Sequence, residues 1–260
     1  MSRIVTSNGF EIGYVEKGDG DATPIVFLHG VGSDKSVWQP QLDHFGRSRR
    51  AIAFDYPGYG DSDPAPQGTT RDYYATAIIS GLHALGIDRA HFCGLSLGGI
   101  VVIAIHHHAP RCCASLTLAD TFAVHPQGGA IYDRSLEGSR DLPSMARARV
   151  DFLLAQPARE DVRREVVDTM SRIDPEAYRI GAEAVWLADQ RDRISAIEIP
   201  TLIICGEADQ PTPPELSHEL HRSIAHSRLE MIADAGHLTN IEQPEVFNRI
   251  LENFLASIEV

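Results

Sequence analysis

Gly94-Leu95-Ser96-Leu97-Gly98-Gly99 lies between two apolar runs, Ala90 to Cys93 before it and Ile100 to Ile105 after it. The first run has the length of a buried strand and the second continues as a helix, so the hexapeptide reads as the tight turn between them. A serine in that turn sits on a strained elbow. Gly94 and Gly98 are required because a side chain at either position would collide with the neighbouring strand or helix. The turn lifts the Ser96 hydroxyl out of the sheet and sets it at a helix N-terminus. There the positive end of the helix and the backbone N–H of Leu97 suit a developing oxyanion. A Gly-x-Ser-x-Gly pattern alone is common and can be a structural turn. The strand before it and the helix after it make Ser96 the candidate nucleophile.

Outward from the elbow, the chain alternates short apolar runs with amphipathic segments. Phe10 to Val15, Pro24 to Leu28, Ala51 to Phe54, Ala114 to Leu118 and Thr201 to Cys205 read as further strands. Several are apolar on both faces, which implies helices above and below and hence a largely parallel sheet of the α/β class. Thr69 to Leu85 carries apolar residues at spacings of three and four and ends at Gly86, a natural helix stop. Pro244 opens a last helix with the stripe Val246, Phe247, Ile250, Leu251 and Phe254.

Strand signals vanish from Thr121 to about Arg193, where Pro143 to Ala155, Arg159 to Ser171 and Pro175 to Asp192 look helical. The expected organisation is a core of residues 1–120 and 194–260 interrupted by a helical cap, 121–193. Such an insertion should cover the carboxyl ends of the strands, where open α/β sheets bind their ligands.

The 260 residues are 43% hydrophobic and 23% charged, enough for one large core. Acidic residues outnumber basic ones, 36 to 23, for a formal net charge of -13. That field repels phosphate backbones and anionic lipid surfaces, so neither nucleic acid nor a membrane is an expected partner. No apolar stretch is long enough to span a bilayer, and Met1-Ser2-Arg3-Ile4-Val5 has no signal-type core, so the expected location is cytoplasmic. Cys93, Cys112, Cys113 and Cys205 read as buried free thiols, with the adjacent pair unsuited to closing a ring or sharing an ion.

A serine hydroxyl needs a base that titrates near neutrality, which is the province of histidine. Among 12 histidines, His237 stands out, since it follows Asp234-Ala235-Gly236 just past the strand-like Leu229 to Ile232. His106, His107 and His108 fan out by about 100° per residue along one helix end and read as a solvated terminus. His29, in His29-Gly30-Val31-Gly32 after the strand Ile25 to Leu28, reads as shaping its loop. Its glycines let the N–H of Val31 turn towards the nucleophile as a second oxyanion donor. A carboxylate must orient the imidazole and stabilise its charged form. Asp209, just after the strand Thr201 to Cys205, is the preferred acid, while Asp120 could reach the same histidine from an adjacent strand end.

The set His29-Gly30, Phe54 to Ser62, Gly94 to Gly99, Gly206 to Asp209 and Gly236-His237 resembles the α/β-hydrolase superfamily across nearly the whole chain. That resemblance implies a mostly parallel eight-stranded sheet flanked by helices, a helical cap, and the order nucleophile, acid, base met by Ser96, Asp209 and His237. Phe92 to Gly99 and Gly236 to Glu245 resemble the 3-oxoadipate enol-lactonase group, which opens an unsaturated lactone in aromatic catabolism. The chain departs from that group in carrying Pro57-Gly58-Tyr59-Gly60 where an Arg-Gly-His-Gly loop is usual. Haloalkane dehalogenases and most epoxide hydrolases of this fold carry Asp at the elbow, so Ser96 argues against both.

The expected function is hydrolysis of a carboxylic ester or lactone through an acyl-enzyme, without metal or organic cofactor. Its partner is a small-molecule substrate, and the oligomeric state is left open, a homodimer included. The alternatives are a C–C bond hydrolase of a ring-cleavage product and a non-catalytic ligand receptor on the same fold. Phe122 and Trp186, with Tyr132 and Phe152, are candidate apolar walls of the substrate pocket or else core of the cap. Arg147, Arg149 or Arg191 would have to balance an anionic substrate against the overall charge.

Overall fold

The computed structural model describes residues 2–7 and 9–259; Met1, at the head of the N-terminal segment read above, lies outside them. The strands are β1 (Ser2–Ser7), β2 (Phe10–Leu28), β3 (Arg49–Phe54), β4 (Ala90–Leu95), β5 (Cys113–Ala119), β6 (Thr201–Gly206) and β7 (Ser227–Ile232). Their order is β1-β2-β4-β5-β6-β7, with β3 paired to β2. The helices α1 (Gln39–Phe45), α2 (Arg71–Ala84) and α3 (Leu97–His108) precede β5. Then come α4 (Gly128–Gly138), α5 (Leu142–Leu153), α6 (Glu160–Ser171), α7 (Pro175–Trp186) and α8 (Arg191–Ile194). After β6 follow α9 (Pro214–Ser223), α10 (Thr239–Glu242) and α11 (Pro244–Ile258).

The strands expected at Phe10 to Val15 and Pro24 to Leu28 form one ribbon that serves β3 twice. Tyr14 stands opposite Phe54 and Lys17 opposite Ala51, in descending register; Ile25 then stands opposite Ala51 and Leu28 opposite Phe54, in ascending register. Gly18, at φ +80°, lies in the reversal, where a Cβ would strike the carbonyls of Gly46 and Arg49. Counted once, β2 makes the sheet seven-stranded; counted on each side of β3, it supplies the eighth position.

Alternation along β2 explains the double-faced apolar pattern. Val26 and Leu28 join the core under α2 and α3, whereas Ile25 and Phe27 join the core with α1 and α11. Each face is covered by helices, as a parallel sheet requires. β4 is wholly buried, and α3 is buried from Leu97 through His106, so it is apolar all round instead of amphipathic. That burial corrects one expectation, because only His107 and His108 of the histidine run are exposed. All four cysteines are free and buried.

Between β5 and β6 the chain runs through α4 to α8 without contributing a strand to the sheet. The neck of this insertion is closed by a bridge between Val124 and Asp189 and by Gln190, whose N–H donates to Ala123 O (2.8 Å). The Gln190 side chain also donates to Ile100 O of α3 (3.0 Å). Two helices differ from expectation. Pro175 to Asp192 is broken at this neck, and α4 forms where no helix was read. No helix among the described residues is long and apolar enough to cross a membrane.

Candidate active site

Ser96 occupies the turn between β4 and α3 at φ +55°, ψ -113°, a conformation that L residues rarely adopt. Its N–H still belongs to the sheet, donating to Ala119 O of β5 (2.9 Å), while its carbonyl already accepts from Gly99 N–H (2.9 Å). One residue thus makes the whole change from strand to helix. The space for it comes from the glycines. A Cβ at Gly94 would lie 2.2 Å from Gly98 C, and one at Gly98 would lie 2.1 Å from Leu28 O.

The end of β5 joins the pieces of the site. Thr121 Oγ1 donates to Ser96 O (2.9 Å), and Asp120 Oδ1 accepts from Gly206 N–H at the end of β6 (2.9 Å). Asp120 Oδ2 accepts from Thr239 Oγ1, two residues past His237. Ser96, Asp209 and His237 therefore sit on loops at the carboxyl ends of β4, β6 and β7, tied through one dipeptide after β5. Burial, and then the charge of Asp209, push the Asp120 carboxyl well above the usual range, which favours its protonated form.

His237 Nδ1 lies 3.0 and 3.1 Å from the two carboxylate oxygens of Asp209, and both side chains are buried. Asp120 makes no such contact, its oxygens being taken by Gly206 and Thr239. Thr212 completes the pair: its N–H donates to Asp209 Oδ1 (2.9 Å) and its hydroxyl to Asp209 Oδ2 (2.6 Å). The sequence signal for Thr212 was available as an Asp with a hydroxyl residue three positions on, the pattern of a side-chain-closed turn. Glu242 is a second residue the sequence reading missed. Its Oε1 accepts from the N–H groups of Gly236 (3.0 Å) and Leu238 (3.1 Å), on either side of His237.

Ser96 is 2% exposed, and its hydroxyl has no hydrogen-bond partner among the described residues. A Cβ placed on Gly30 would lie 3.5 Å from Ser96 Cβ, so the His29 to Gly32 loop runs alongside the elbow. The Tyr59 hydroxyl donates to Val31 O (3.3 Å) and that of Tyr56 to His29 O (3.2 Å), which holds the loop by its carbonyls and leaves its amides free. Neither the Val31 nor the Leu97 N–H has an acceptor among the described residues. His29 packs against the rings of Tyr56 and Tyr59, and burial lowers its pKa, so it is a neutral part of the loop.

The insertion lies over these loops. A Cβ at Gly181 of α7 would reach Val31 Cγ2 and the Tyr59 hydroxyl, and His237 N–H donates to Leu153 O at the end of α5 (2.8 Å). Phe122 is fully buried and stacks on Trp186, centroids 5.9 Å apart at 14°, with His125 set edge-on to both rings. Trp186 also borders a cavity of about 790 Å³ beneath α4 and α5. Tyr132 is half-buried, and Phe152 is 43% exposed at the rim of that cavity. Of the candidate cations, Arg191 is paired with Asp189 at the surface and the exposed Arg147 bonds Ser144, whereas Arg149 borders the cavity.

One group of donor atoms could be considered for a metal: Asp120, Cys205 and Asp209 lie within 4.8 Å of one another. Burial pushes the Cys205 thiol up as well as the Asp120 carboxyl. Two of the three donors thus favour their protons, and the third is engaged by Thr212 and His237, which fits a cation poorly.

Comparison with known proteins agrees with this architecture. The profile of the Alpha/beta hydrolase family matches residues 25–250. The chain is 30% identical to 3-oxoadipate enol-lactonase 1 of Acinetobacter baylyi, covering 98% of this chain and 97% of that protein. The crystal structure of the enol-lactonase from Burkholderia xenovorans LB400 superposes with a TM-score of 0.91 at 28% identity, over 98% of this chain and 100% of the other. A thermophilic esterase from Thermogutta terrifontis superposes with a TM-score of 0.91 at 25% identity, over the full length of both chains.

Proposed function

The chain belongs to the α/β-hydrolase family, and on that premise we propose that it is a serine hydrolase that opens a carboxylic ester or lactone through an acyl-enzyme. The observation that carries this reading is the left-handed Ser96 at the head of α3, with an Asp209–His237 pair on the neighbouring strand ends. The resemblance to two enol-lactonases supports a lactone as the substrate bond and aromatic catabolism as the setting.

In this mechanism Ser96 Oγ attacks the acyl carbon and its proton passes to the imidazole of His237. The carbonyl oxygen, now carrying the charge, accepts from the free N–H groups of Val31 and Leu97. Asp209 stabilises the imidazolium through Nδ1, and the imidazolium returns its proton to the departing oxygen. In a lactone that oxygen stays attached to the acyl chain, so the first half-reaction is ring opening. Water activated by His237 then cleaves the acyl-enzyme and regenerates the serine. The hydrogen bond from Ser96 to His237 forms on substrate binding, as such contacts do in many unliganded enzymes. No step calls for a metal or organic cofactor. The insertion acts as a cap, and Phe122 with Trp186 forms the apolar wall between the elbow and the cavity.

The test is kcat/KM for an enol-lactone bearing a free carboxylate against a neutral ester of matched size, with Ser96→Ala as the blank. Ser96→Ala should lower turnover by on the order of 10⁶. Turnover of either substrate by Ser96→Ala within about tenfold of the parent would sink the reading. Faster cleavage of a dienone ring-cleavage product than of any ester would replace it with C–C hydrolysis.

A further inference from the structure

We propose that Tyr59 is the positioning residue of the oxyanion hole, setting the direction of the Val31 N–H from both sides of that residue. The inference rests on the serine-hydrolase reading, which supplies the oxyanion. It goes further by giving a task to Pro57-Gly58-Tyr59-Gly60, the stretch in which the chain departs from the enol-lactonase pattern.

The first observation is which peptide units are held. The Val31 N–H shares one planar trans unit with the Gly30 carbonyl, so whatever fixes that oxygen also aims the N–H at the opposite edge. Gly30 O lies 2.8 Å from His29 Nδ1 and accepts from Ser33 N–H (3.3 Å). A carbonyl only accepts, so His29 carries its proton on Nδ1. The next unit is held at Val31 O by the Tyr59 hydroxyl (3.3 Å), and the Tyr59 ring packs against the His29 ring with centroids 5.0 Å apart. One tyrosine therefore bonds the unit after Val31 and braces the imidazole that bonds the unit before it. Burial pushes the Tyr59 hydroxyl above its ordinary range, so it remains a donor through neutral pH.

The second is what fixes the tyrosine. Its turn and the Val31 loop are joined by a buried charge cluster around Lys35. Asp55 Oδ1 accepts from Lys35 N–H (2.8 Å), and Asp55 Oδ2 accepts from Lys35 Nζ (2.5 Å) and from Asp61 N–H (2.9 Å). Lys35 Nζ also donates to Asp61 Oδ2 (2.6 Å). Burial works against the Lys35 charge, but the two carboxylates outweigh it and raise the ammonium above its ordinary range, so the clamp is ionic at neutral pH. Tyr59 lies between the two acids that grip Lys35. Both ends of its turn are thus tied to the loop that begins at His29.

The third is the room made for the hydroxyl. Gly181 is buried inside α7, where alanine would make the better helix. A Cβ there would lie 2.1 Å from the Tyr59 hydroxyl oxygen and 3.1 Å from Val31 Cγ2. The bare backbone of α7 leaves space for the oxygen that bonds Val31 O, and it closes the remaining side of Tyr59.

The test measures kcat and KM for whichever ester or lactone the parent turns over faster, and Ki for phenylboronic acid, in Tyr59→Phe, Gly181→Ala and the double variant. Phenylboronic acid takes Ser96 Oγ onto boron while the serine proton passes to His237, and the anionic adduct sets an oxygen against the oxyanion donors. Outright loss of an oxyanion donor costs on the order of 10² to 10³ in kcat. Tyr59→Phe keeps the donor and loses only its alignment, so kcat should fall roughly ten- to thirtyfold, with KM within about threefold of the parent. Phenylboronic acid Ki should rise by the same factor as kcat falls, which a merely structural tyrosine would not cause. Gly181→Ala should lower kcat with Tyr59 unaltered. In the double variant the oxygen that meets the new Cβ is gone, so kcat should match Tyr59→Phe alone instead of falling by the product of the two losses. Parental kcat in folded Tyr59→Phe protein, a kcat loss without a matching rise in Ki, or multiplied losses in the double variant overturns the inference alone. A parent without turnover, or Ser96→Ala with parental turnover, removes the serine-hydrolase reading and this inference with it.

Discussion

Glu242 holds His237 without touching its ring. One carboxylate oxygen accepts the N–H groups on either side of the histidine, at Gly236 and Leu238, and the other accepts Ala155 N–H (2.7 Å) just beyond α5. The side chain therefore fixes the imidazole loop and fastens the insertion to it. Glu242→Ala would leave three amides unpaired in a partly buried setting, for an expected loss of about 2–4 kcal/mol in urea unfolding. Because the imidazole loses its support while the cavity does not, kcat should fall more than KM rises, with partial recovery in Glu242→Gln. Parent kcat in folded Glu242→Ala protein would show that the clasp is structural only.

The two buried acids beside the histidine should behave oppositely on amidation. Asp120 favours its protonated form, and an asparagine can still accept from Gly206 and donate to Thr239. Asp120→Asn should keep activity at pH 7 within about tenfold of the parent. Asp209→Asn presents an amide to Nδ1, disturbs the tautomer and removes the charge that stabilises the imidazolium, for a loss in kcat on the order of 10⁴. A steady-state comparison of the two decides the assignment, and an equal loss in both would refute it.

Glycines of the elbow and glycines of open turns should differ in cost. Gly98→Ala drives a Cβ to 2.1 Å from a backbone oxygen of β2, which cannot swing aside, so α3 must move off the sheet. A loss upward of about 3 kcal/mol is expected. Gly86→Ala meets nothing within 4 Å, and its φ of +70° alone sets the cost, about 1 kcal/mol. Urea unfolding of both variants ranks them, and an inverted order would refute the packing account of the elbow.

How far the chain could be read follows from which signals are local. The elbow, the apolar strands and Pro244 at the head of α11 are written in adjacent residues, and each is found where it was expected. Helix α4 was missed because Gly128-Gly129 opens it and few apolar residues mark its face; packing against α5 and α7 makes it helical. Helix α9 begins at Pro214, which sits in its first turn, where a missing N–H costs nothing. Asp209 is preferred over Asp120 from the sequence alone, and what only the structure adds is that the Asp120 oxygens are taken by Gly206 and Thr239 while those of Asp209 face His237. Spacing does not separate Arg147, Arg149 and Arg191; in the structure Arg191 is paired with Asp189, whereas Arg147 and Arg149 each bond a neutral hydroxyl, of Ser144 and Tyr178.

Acid should loosen the insertion before it reaches the core. Asp72 on α2 receives Arg193 of α8 through two contacts, 2.7 and 3.1 Å, and His108 of α3 at 3.0 Å. The Arg193 guanidinium, with the histidine behind it, holds the Asp72 carboxyl down at about 2. A carboxyl depressed in the folded state stabilises it fully above the unfolded value and loses that contribution as pH falls through the folded one. The window therefore runs from about pH 4 down to about 2, and partial exposure of both partners keeps the effect modest. Asp72→Asn should lower Tm at pH 7 and flatten its fall across that window. Because α8 borders the neck at Gln190, limited proteolysis at pH 3 to 4 should cut within residues 121–193 sooner in the variant than in the parent. Parallel Tm curves with identical cleavage would show that the Asp72–Arg193 pair carries no part of the acid response.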